Sequence, residues 1–438
     1  MDFPQNDNDK QSYYAAESIK DNQILQRCAR NEQATVLFED GSLRAYNVGG
    51  PYRIHKARNV YVGDIWIMAG QSNMRGHGYQ IDPYTNCTLI EQGQLGTHLY
   101  DSKEEWTRAK EPLHQLYLSP RTVHHTLPDP TVKNPKLLEY RGASLGLSFA
   151  KEYREKLSNV PVGLVASAHG GTSLNDWKRP DTLDEDSEDK TLYGAMMARI
   201  KAVGGRIAGI LWYQGESDTT VAEDALTYRD RFRLWMDTLR QDLRDPTLPI
   251  AFVQIGPHAI DVGEMRKNWK LVQLAQFELM MEQGYSAGVA SIDCSLDDRL
   301  HLSAAGLKVV GKRLAIAAEN LLMAARSGVG LHKDTFCAQY QDPVIPDLNG
   351  KIPPCILLTT TWPTEPLVEG SDVLGFGLCC QDKSVAIIHA RVSEIRNHFN
   401  ISISHMPKTE LFLTYGLTYP LIDSSNKGWP AFCIKVNF

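Results

Sequence analysis

Apolar and polar positions divide the chain into a long middle of alternating patterns and two ends of another kind. In the middle, short β-branched runs fall at Val60–Ala69, Val162–Ala168, Ile207–Tyr213, Ile250–Ile255 and Gly288–Ile292. Several are apolar at almost every position, as strands are when a parallel sheet is covered on both faces. Between them the spacing becomes that of amphipathic helices, at Ala143–Lys156, Leu192–Val203, Ala222–Leu243, Lys267–Gln283 and Ala304–Ala325. Five strands alternating with five helices predict a doubly wound α/β sandwich over residues 59–328.

The ends follow other rules. Residues 1–58 hold short alternating runs, Ala34–Phe38 and Leu43–Tyr46, around the turn Asp40-Gly41, and predict a small β segment. Residues 329–438 begin with the turn-rich stretch Pro346–Pro354. Then come Ile356–Thr360, Val373–Cys379, Ser384–Ala390, Ile401–Ser404 and Glu410–Tyr415, which predict an all-β, sandwich-like domain. Gly76–Tyr140 shows little periodicity, and a loop of that length in a compact domain is usually functional or disordered.

Composition narrows the function classes. The 438 residues are 42% hydrophobic and 22% charged, the mix of a soluble globular protein. A net charge of −6 gives no broad grip on nucleic acid or anionic lipid. No apolar run approaches the length of a membrane span. The opening MDFPQNDNDKQSYY has neither a basic n-region nor an apolar h-region. The expectation is a cytoplasmic protein if the chain is native, and an extracellular or periplasmic one if it is a trimmed mature form. The eight cysteines are scattered with no C-x-x-C pair and are expected to be reduced thiols.

Four segments carry candidate chemistry. Gly70-Gln71-Ser72-Asn73-Met74 ends the first strand, where open α/β sheets bind ligands. Asp298-Arg299-Leu300-His301 follows the fifth strand. A nucleophilic serine needs a base, and the base needs a group to fix its tautomer, so an Asp three residues before a His supplies both from one turn. Asp293 and Asp297 are rivals to Asp298 on spacing alone. Taken singly, Ser72 reads first as a helix N-cap. His169-Gly170-Gly171-Thr172 and Trp212-Tyr213-Gln214-Gly215-Glu216-Ser217-Asp218 follow the second and third strands. An oxyanion needs fixed donors. The N–H groups of Ser72 and Gly171 and the side-chain amide of Gln214 are candidates. All four segments would meet at one edge of the sheet.

Gly70–Met74, Gly170–Thr172, Trp212–Asp218 and Asp298–His301 resemble, in this order, the blocks of the SGNH-hydrolase superfamily. The closer likeness is to its sialate O-acetylesterase and acetyl-xylan esterase branch, which has Gln where the wider superfamily has Asn in the third block. The resemblance implies a three-layer α/β/α, flavodoxin-like core. It implies Ser72 as nucleophile, His301 as base and Asp298 as its partner, with Ser72, Gly171 and Gln214 forming the oxyanion hole. Ile24–Arg27, Gly49–Tyr52 and Val62–Trp66 are similar to the lead-in of sialate O-acetylesterases, here shortened. Leu413–Gly416 and Gly428–Phe432 are similar to the close of their C-terminal β-domain. Trp106–Leu113, and Leu302 after His301, are nearer the acetyl-xylan side. The implied activity is a carbohydrate O-acetylesterase, sialate O-acetylesterase-like, working through an acetyl-serine intermediate on an O-acetylated carbohydrate. The alternatives are an acetyl-xylan or other polysaccharide deacetylase, or an inactive carbohydrate-binding protein.

Neighbouring residues take supporting parts in this picture. Glu216 either acts as a second acid or braces the loops by pairing with Arg75 or Arg299, and Asn73 and Arg75 support the site. Trp177 and Trp212 offer faces to a sugar ring, although Trp212 on a buried strand reads first as core. His114, His124, His125 and His169 fall in loops near the expected mouth without a metal-ligand spacing, so no metal is expected. There is no Walker A or dinucleotide fingerprint, and the hydrolysis requires no cofactor.

Overall fold

The structure, a computed structural model, describes residues 13–259, 263–282 and 284–331, and beyond them seven strand segments with Leu411. Five parallel strands make the centre: β1 (Ala57–Gly70), β2 (Val162–Ala166), β3 (Gly209–Tyr213), β4 (Ile250–Val253) and β5 (Ser286–Val289). Their order across the sheet is β5-β4-β3-β1-β2. Each is followed by its helix: α1 (Gly146–Lys156), α2 (Leu192–Ala202), α3 (Ala222–Asp242), α4 (Gly263–Met281) and α5 (Ala304–Ser327). The fourth helix thus stops short of Gln283, which lies outside the described residues.

The strands form where the sequence is apolar on both faces because helices cover both. From Val60 to Gly70 every residue of β1 is buried. On one face α1 packs against α5, and on the other α3 packs against α4. The first contact is close because Gly311 has no side chain. A Cβ there would stand 2.2 Å from Ser148 Oγ and 2.5 Å from the carbonyl of Leu145. Helix α5 is capped at its start by Ser303, whose hydroxyl accepts from the Gly306 N–H at 3.1 Å, and at its end by left-handed Gly328.

The stretch Gly76–Tyr140, expected as a loop, adds two edge strands to this sheet. Thr97–Tyr100 runs parallel to β2, and Trp106–Arg108 pairs antiparallel with it. At four and three residues they are too short to show a period in the sequence.

Before the core, Tyr14–Ala15, Gln33–Leu37 and Leu43–Asn47 make a three-stranded sheet. Ile24–Gln26 and Gly49–Ile54 pair with the first half of β1. These strands bury an apolar cluster of their own, including Ala34, Val36, Ile54, Val60 and Val62. Residue 58 lies within β1, which runs unbroken through both clusters. Arg27 clamps the lead-in to the core through Asp64, with contacts of 2.8 and 2.7 Å, and Tyr153 of α1 donates to the same carboxylate at 2.9 Å.

The seven segments beyond residue 331 pair as one sheet in the order 376–379, 412–415, 432–437, 337–341, 355–359, 398–403, 387–392. All pairs are antiparallel except 337–341 with 432–437. The stretch Pro346–Pro354 lies outside the described residues. Among those residues, no helix is long and apolar enough to cross a membrane.

Candidate active site

The strand order reverses at β1, so the chain ends of β1 and β3 open a crevice at the switch point of the sheet. Gly70 closes β1 with φ +129°. A Cβ there would lie 2.2 Å from the Tyr213 carbonyl, so the two strand ends approach only with glycine. After Gln71 the chain turns into a four-residue helix, Ser72–Arg75. The Gln71 side chain holds the neighbouring loop, its Oε1 accepting from the N–H groups of Gly215 (3.3 Å) and Ser217 (3.1 Å).

Ser72, His301 and Asp298 form one hydrogen-bonded chain. Ser72 Oγ is 2.9 Å from His301 Nε2, and His301 Nδ1 is 2.9 and 3.0 Å from the two oxygens of Asp298. Burial works to raise the Asp298 pKa. Hydrogen bonds from the N–H groups of Leu300 and His301, each 2.9 Å, and from the His301 ring outweigh it and hold the carboxylate well below its ordinary range. Arg141 adds a bond of 2.8 Å to the same carboxylate. Burial lowers the His301 pKa against the pull of Asp298, and Arg75 and Arg141 lower it further. The imidazole is thereby kept neutral and able to accept a proton near pH 7.

The rivals to Asp298 are engaged elsewhere. Both oxygens of Asp293 bind Arg313 at 2.7 Å, and Asp297 accepts the Tyr79 N–H at 2.7 Å.

The N–H groups of Ser72 and Gly171 have no acceptor among the described residues, and both residues line the cleft. Gly171 is exposed and left-handed (φ +72°). Gly170 leaves room for Asp129, whose Oδ2 a Cβ would meet at 2.2 Å.

The structure corrects the expectation for Gln214. It is fully buried and does not line the cleft. Its amide nitrogen carries two hydrogens and has three acceptors: Asp218 Oδ2 at 2.5 Å, Thr172 O at 3.1 Å and Gln71 Oε1 at 3.3 Å. Its oxygen accepts from Tyr228 at 3.2 Å. No donor is left for an oxyanion, and the side chain instead ties the loop after β3 into the core.

Glu216 braces the loops through a partner the sequence did not suggest. It binds neither Arg75 nor Arg299. Asn73 Nδ2 donates to its Oε1 at 2.6 Å, and Asn73 Oδ1 accepts from the Leu302 N–H at 3.0 Å. Asn73 therefore joins the Ser72 turn to the loops after β3 and β5. The other oxygen of Glu216 has no hydrogen-bond partner among the described residues, and burial pushes the carboxyl up to about 7. Arg75 is fully buried, 3.0 Å from Asp129, with its other arm 3.1 Å from His77 Nδ1.

Two further expectations are corrected. Trp177 is fully buried and offers nothing to a sugar; it packs edge to face at 5.2 Å on Trp212, which is core as its place on a buried strand implied. His114, His124 and His169 are buried rather than at the mouth, with His124 Nδ1 3.0 Å from His169 Nδ1 and its Nε2 3.1 Å from Arg199. Only His125 of the four is exposed. The aromatic side chain at the cleft is Trp269 of α4.

The cleft has a volume of about 290 Å³. Pro128, Pro130, Met265, Trp269 and Leu300 supply apolar wall around Ser72 and His301. His77, Asp298 and His301 bring donor atoms within 4.8 Å of one another. The guanidinium groups of Arg75 and Arg141 touch this cluster, so a cation there meets two fixed positive charges. His77, Arg141, Asp129 and Trp269 are the site residues that sequence reasoning missed. The only local signal was the Gly-His-Gly setting of His77.

An α/β sheet with its polar chemistry at the switch point, and a serine on a turn there that lines the cleft, defines an ester-hydrolase class of site. Residues 62–320 match the family described as carbohydrate esterase, sialic acid-specific acetylesterase (SASA), and the chain belongs to that family of carboxylic ester hydrolases. It is 27% identical over 263 residues to an Arabidopsis thaliana protein named as a probable carbohydrate esterase, covering 58% of this chain and 89% of that one. With human sialate O-acetylesterase it shares 25% identity over 283 residues, 52% of this chain and 50% of the human protein. The chain therefore spans about half the length of that relative. Among solved structures, a carbohydrate acetylesterase from Xanthomonas citri shares the fold with a TM-score of 0.59 at 19% identity, covering 94% of this chain and 95% of that one.

Proposed function

We propose that this protein removes acetyl groups from carbohydrate hydroxyls with Ser72 as nucleophile, His301 as general base and Asp298 as the group that orients it. The observation that carries this is the unbroken chain Ser72 Oγ–His301–Asp298, with both links 2.9 Å. Ser72 Oγ attacks the acetyl carbonyl and passes its proton to His301 Nε2. The oxyanion is stabilised by the Ser72 and Gly171 N–H groups. His301 then protonates the sugar oxygen as the ester bond breaks and acetyl-Ser72 remains. Water attacks that ester by the same route in reverse, releasing acetate and restoring Ser72. No cofactor enters these steps. All the groups used lie between residues 72 and 301, within the expected catalytic domain 59–328. Residues 1–58 and 329–438 are proposed as flanking β units.

Ser72→Ala is expected to lower turnover by at least about 10³-fold while the fold is retained. Near-normal turnover in a folded Ser72→Ala protein would overturn the assignment.

The resemblance and the family point to acetylated sialate as substrate. One observation favours a second reading, a neutral acetylated sugar. The only cationic side chain lining the cleft among the described residues is Arg75, which is buried against Asp129 and His77. The carboxyls lining the cleft are those of Asp129 and Glu216, and its two histidines, His77 and His301, are held toward the neutral form. A sialate carboxylate finds no free counter-charge on these walls. Acetate release from 9-O-acetyl sialic acid, from its methyl ester and from acetylated xylose separates the two. Preference for the free acid supports the sialate reading, and preference for the ester and the xylose supports the neutral one.

A further inference from the structure

His77 sits directly on the ring of His301. The two ring centroids are 4.0 Å apart at 47°, and the His77 side chain is only 13% exposed. Its seat is built tightly. A Cβ on Gly76, which has φ +97°, would fall 2.8 Å from the Gly142 carbonyl, and one on Gly78 would fall 2.9 Å from the Ala304 N–H nitrogen. The residues on either side therefore have to be this small for the chain to carry His77 over the cleft.

The hydrogen bonds of His77 define its state. Arg75 is a donor only, so the 3.1 Å contact with His77 Nδ1 makes Nδ1 the acceptor and places the proton on Nε2. That nitrogen lies 3.9 Å from Asp298 Oδ2. Burial, together with His301, Arg75 and Arg141, pushes the His77 pKa down to about 3, so the ring remains uncharged beside a histidine that must gain a proton. The Arg141 guanidinium donates to the His77 carbonyl at 3.3 Å and fixes the backbone as well.

We propose that His77 is a positioning residue for the ester hydrolysis. It covers the open face of His301, holds that ring in line between Ser72 and Asp298, and keeps water from it. This role rests on the Ser72–His301–Asp298 reading. The charged and titratable groups facing His301 are Asp298 from its own loop, Arg75 and His77 from the segment after β1, and Arg141 from strand Arg141–Ala143. Glu216 and Asp129 line the same cleft. Two guanidinium groups and the covering ring all favour neutral His301, and Asp298 opposes them. Removing the cover admits water to the imidazolium, so the acid limb of the pH–rate profile moves to higher pH.

The test compares His77→Ala with His77→Phe on one acetyl ester. Both lose the bond from Arg75, and only alanine uncovers His301. His77→Ala is expected to lower kcat by about 10–100-fold through misplacement of the base. KM is expected to change by less than about threefold, and the acid limb of kcat/KM to rise in pH. His77→Phe should recover most of kcat and return the limb toward wild type. Equal loss in both variants, or a wild-type limb in His77→Ala, would overturn the proposal. If the alanine protein does not fold, His77→Asn also uncovers the ring and carries the same two outcomes. Ser72→Ala is measured beside them. Retained activity there sinks the nucleophile assignment, whereas an unmoved limb in His77→Ala sinks only the role of His77.

Discussion

The loops after β3 and β5 meet at the same cleft and are built in opposite ways. The β5 loop carries Asp298 and His301 on one turn, partly exposed, with the carboxylate bonded to N–H groups two and three residues on. Its geometry is local. The β3 loop carries Gln214, Glu216 and Asp218, all buried, and its partners come from Thr172, Gln71, Asn73, Tyr228 and Arg231. Its geometry is assembled from across the fold. The difference teaches where chemistry is performed and where it is supported. A proton-transferring pair needs access to substrate and a fixed tautomer, which one turn provides. A buried polar loop turns its donors inward to satisfy its neighbours, which consumes those that would otherwise face a ligand.

The largest effect expected on this contrast comes from the β5 loop. Asp298→Asn should lower kcat by about 10²–10⁴-fold, because His301 loses both its tautomer control and the charge that stabilises its protonated form. Glu216→Gln, on the same ester and at a pH where the wild type is fully active, should lose less than about tenfold, since an amide still accepts from Asn73. If Glu216→Gln loses more than Asp298→Asn with both folded, the acid partner of His301 belongs to the β3 loop.

A smaller effect, of a different kind, is expected at Gln214. Gln214→Ala strips a donor from Asp218, a buried carboxylate otherwise held by Arg231 at 2.7 Å and by the Leu174 N–H at 3.0 Å. Loss of a hydrogen bond to a charged group costs about 1.5–3 kcal/mol, so the variant should unfold at lower denaturant and lose activity in step with that loss of stability. A drop of about 10²–10³-fold in kcat at unchanged stability would instead be the signature of an oxyanion donor, and would erase the distinction between the two loops.

A last effect concerns stability and its dependence on pH, not turnover. Burial raises the Glu216 pKa from an unfolded value of 4.5 to about 7 in the folded protein. The charged form is therefore the disfavoured one in the fold. The penalty is absent below pH 4.5, grows as the pH rises, and is complete above about 7. Glu216→Gln should thus match the wild type in stability at pH 4 and exceed it at pH 8. A difference of the same size at both pH values would show that the Glu216 carboxyl does not change its charge there.

What the sequence made legible follows the same division. The core helices announced themselves because each is long enough for its period to show, and the core strands because they fall in short apolar runs between those helices. Asp298 and His301 were legible because three residues of spacing decide whether they meet. Gln214 was visible as a residue type at a strand end, but its role depends on Asp218 and on Thr172 and Tyr228 from other elements. No local pattern holds that information. His77 and Arg141 escaped for a related reason, since 63 residues separate them and the pairing of Gly78–Tyr79 with Arg141–Ala143 brings them together. The histidines of the long insert misled because polar residues in an aperiodic stretch look exposed. His124 of that insert instead shares a buried network with Arg199 and with His169 from the loop after β2.

The central claim is that Ser72 carries the acetyl group between the two halves of the reaction. Mixing the protein with an activated aryl acetate, quenching in acid within the first turnover and mapping the peptides by mass spectrometry tests it directly. The account predicts one acetyl group on the peptide containing Ser72, lost on further incubation and never formed in Ser72→Ala. Acetylation at another residue, or full turnover with Ser72 never modified, would contradict it.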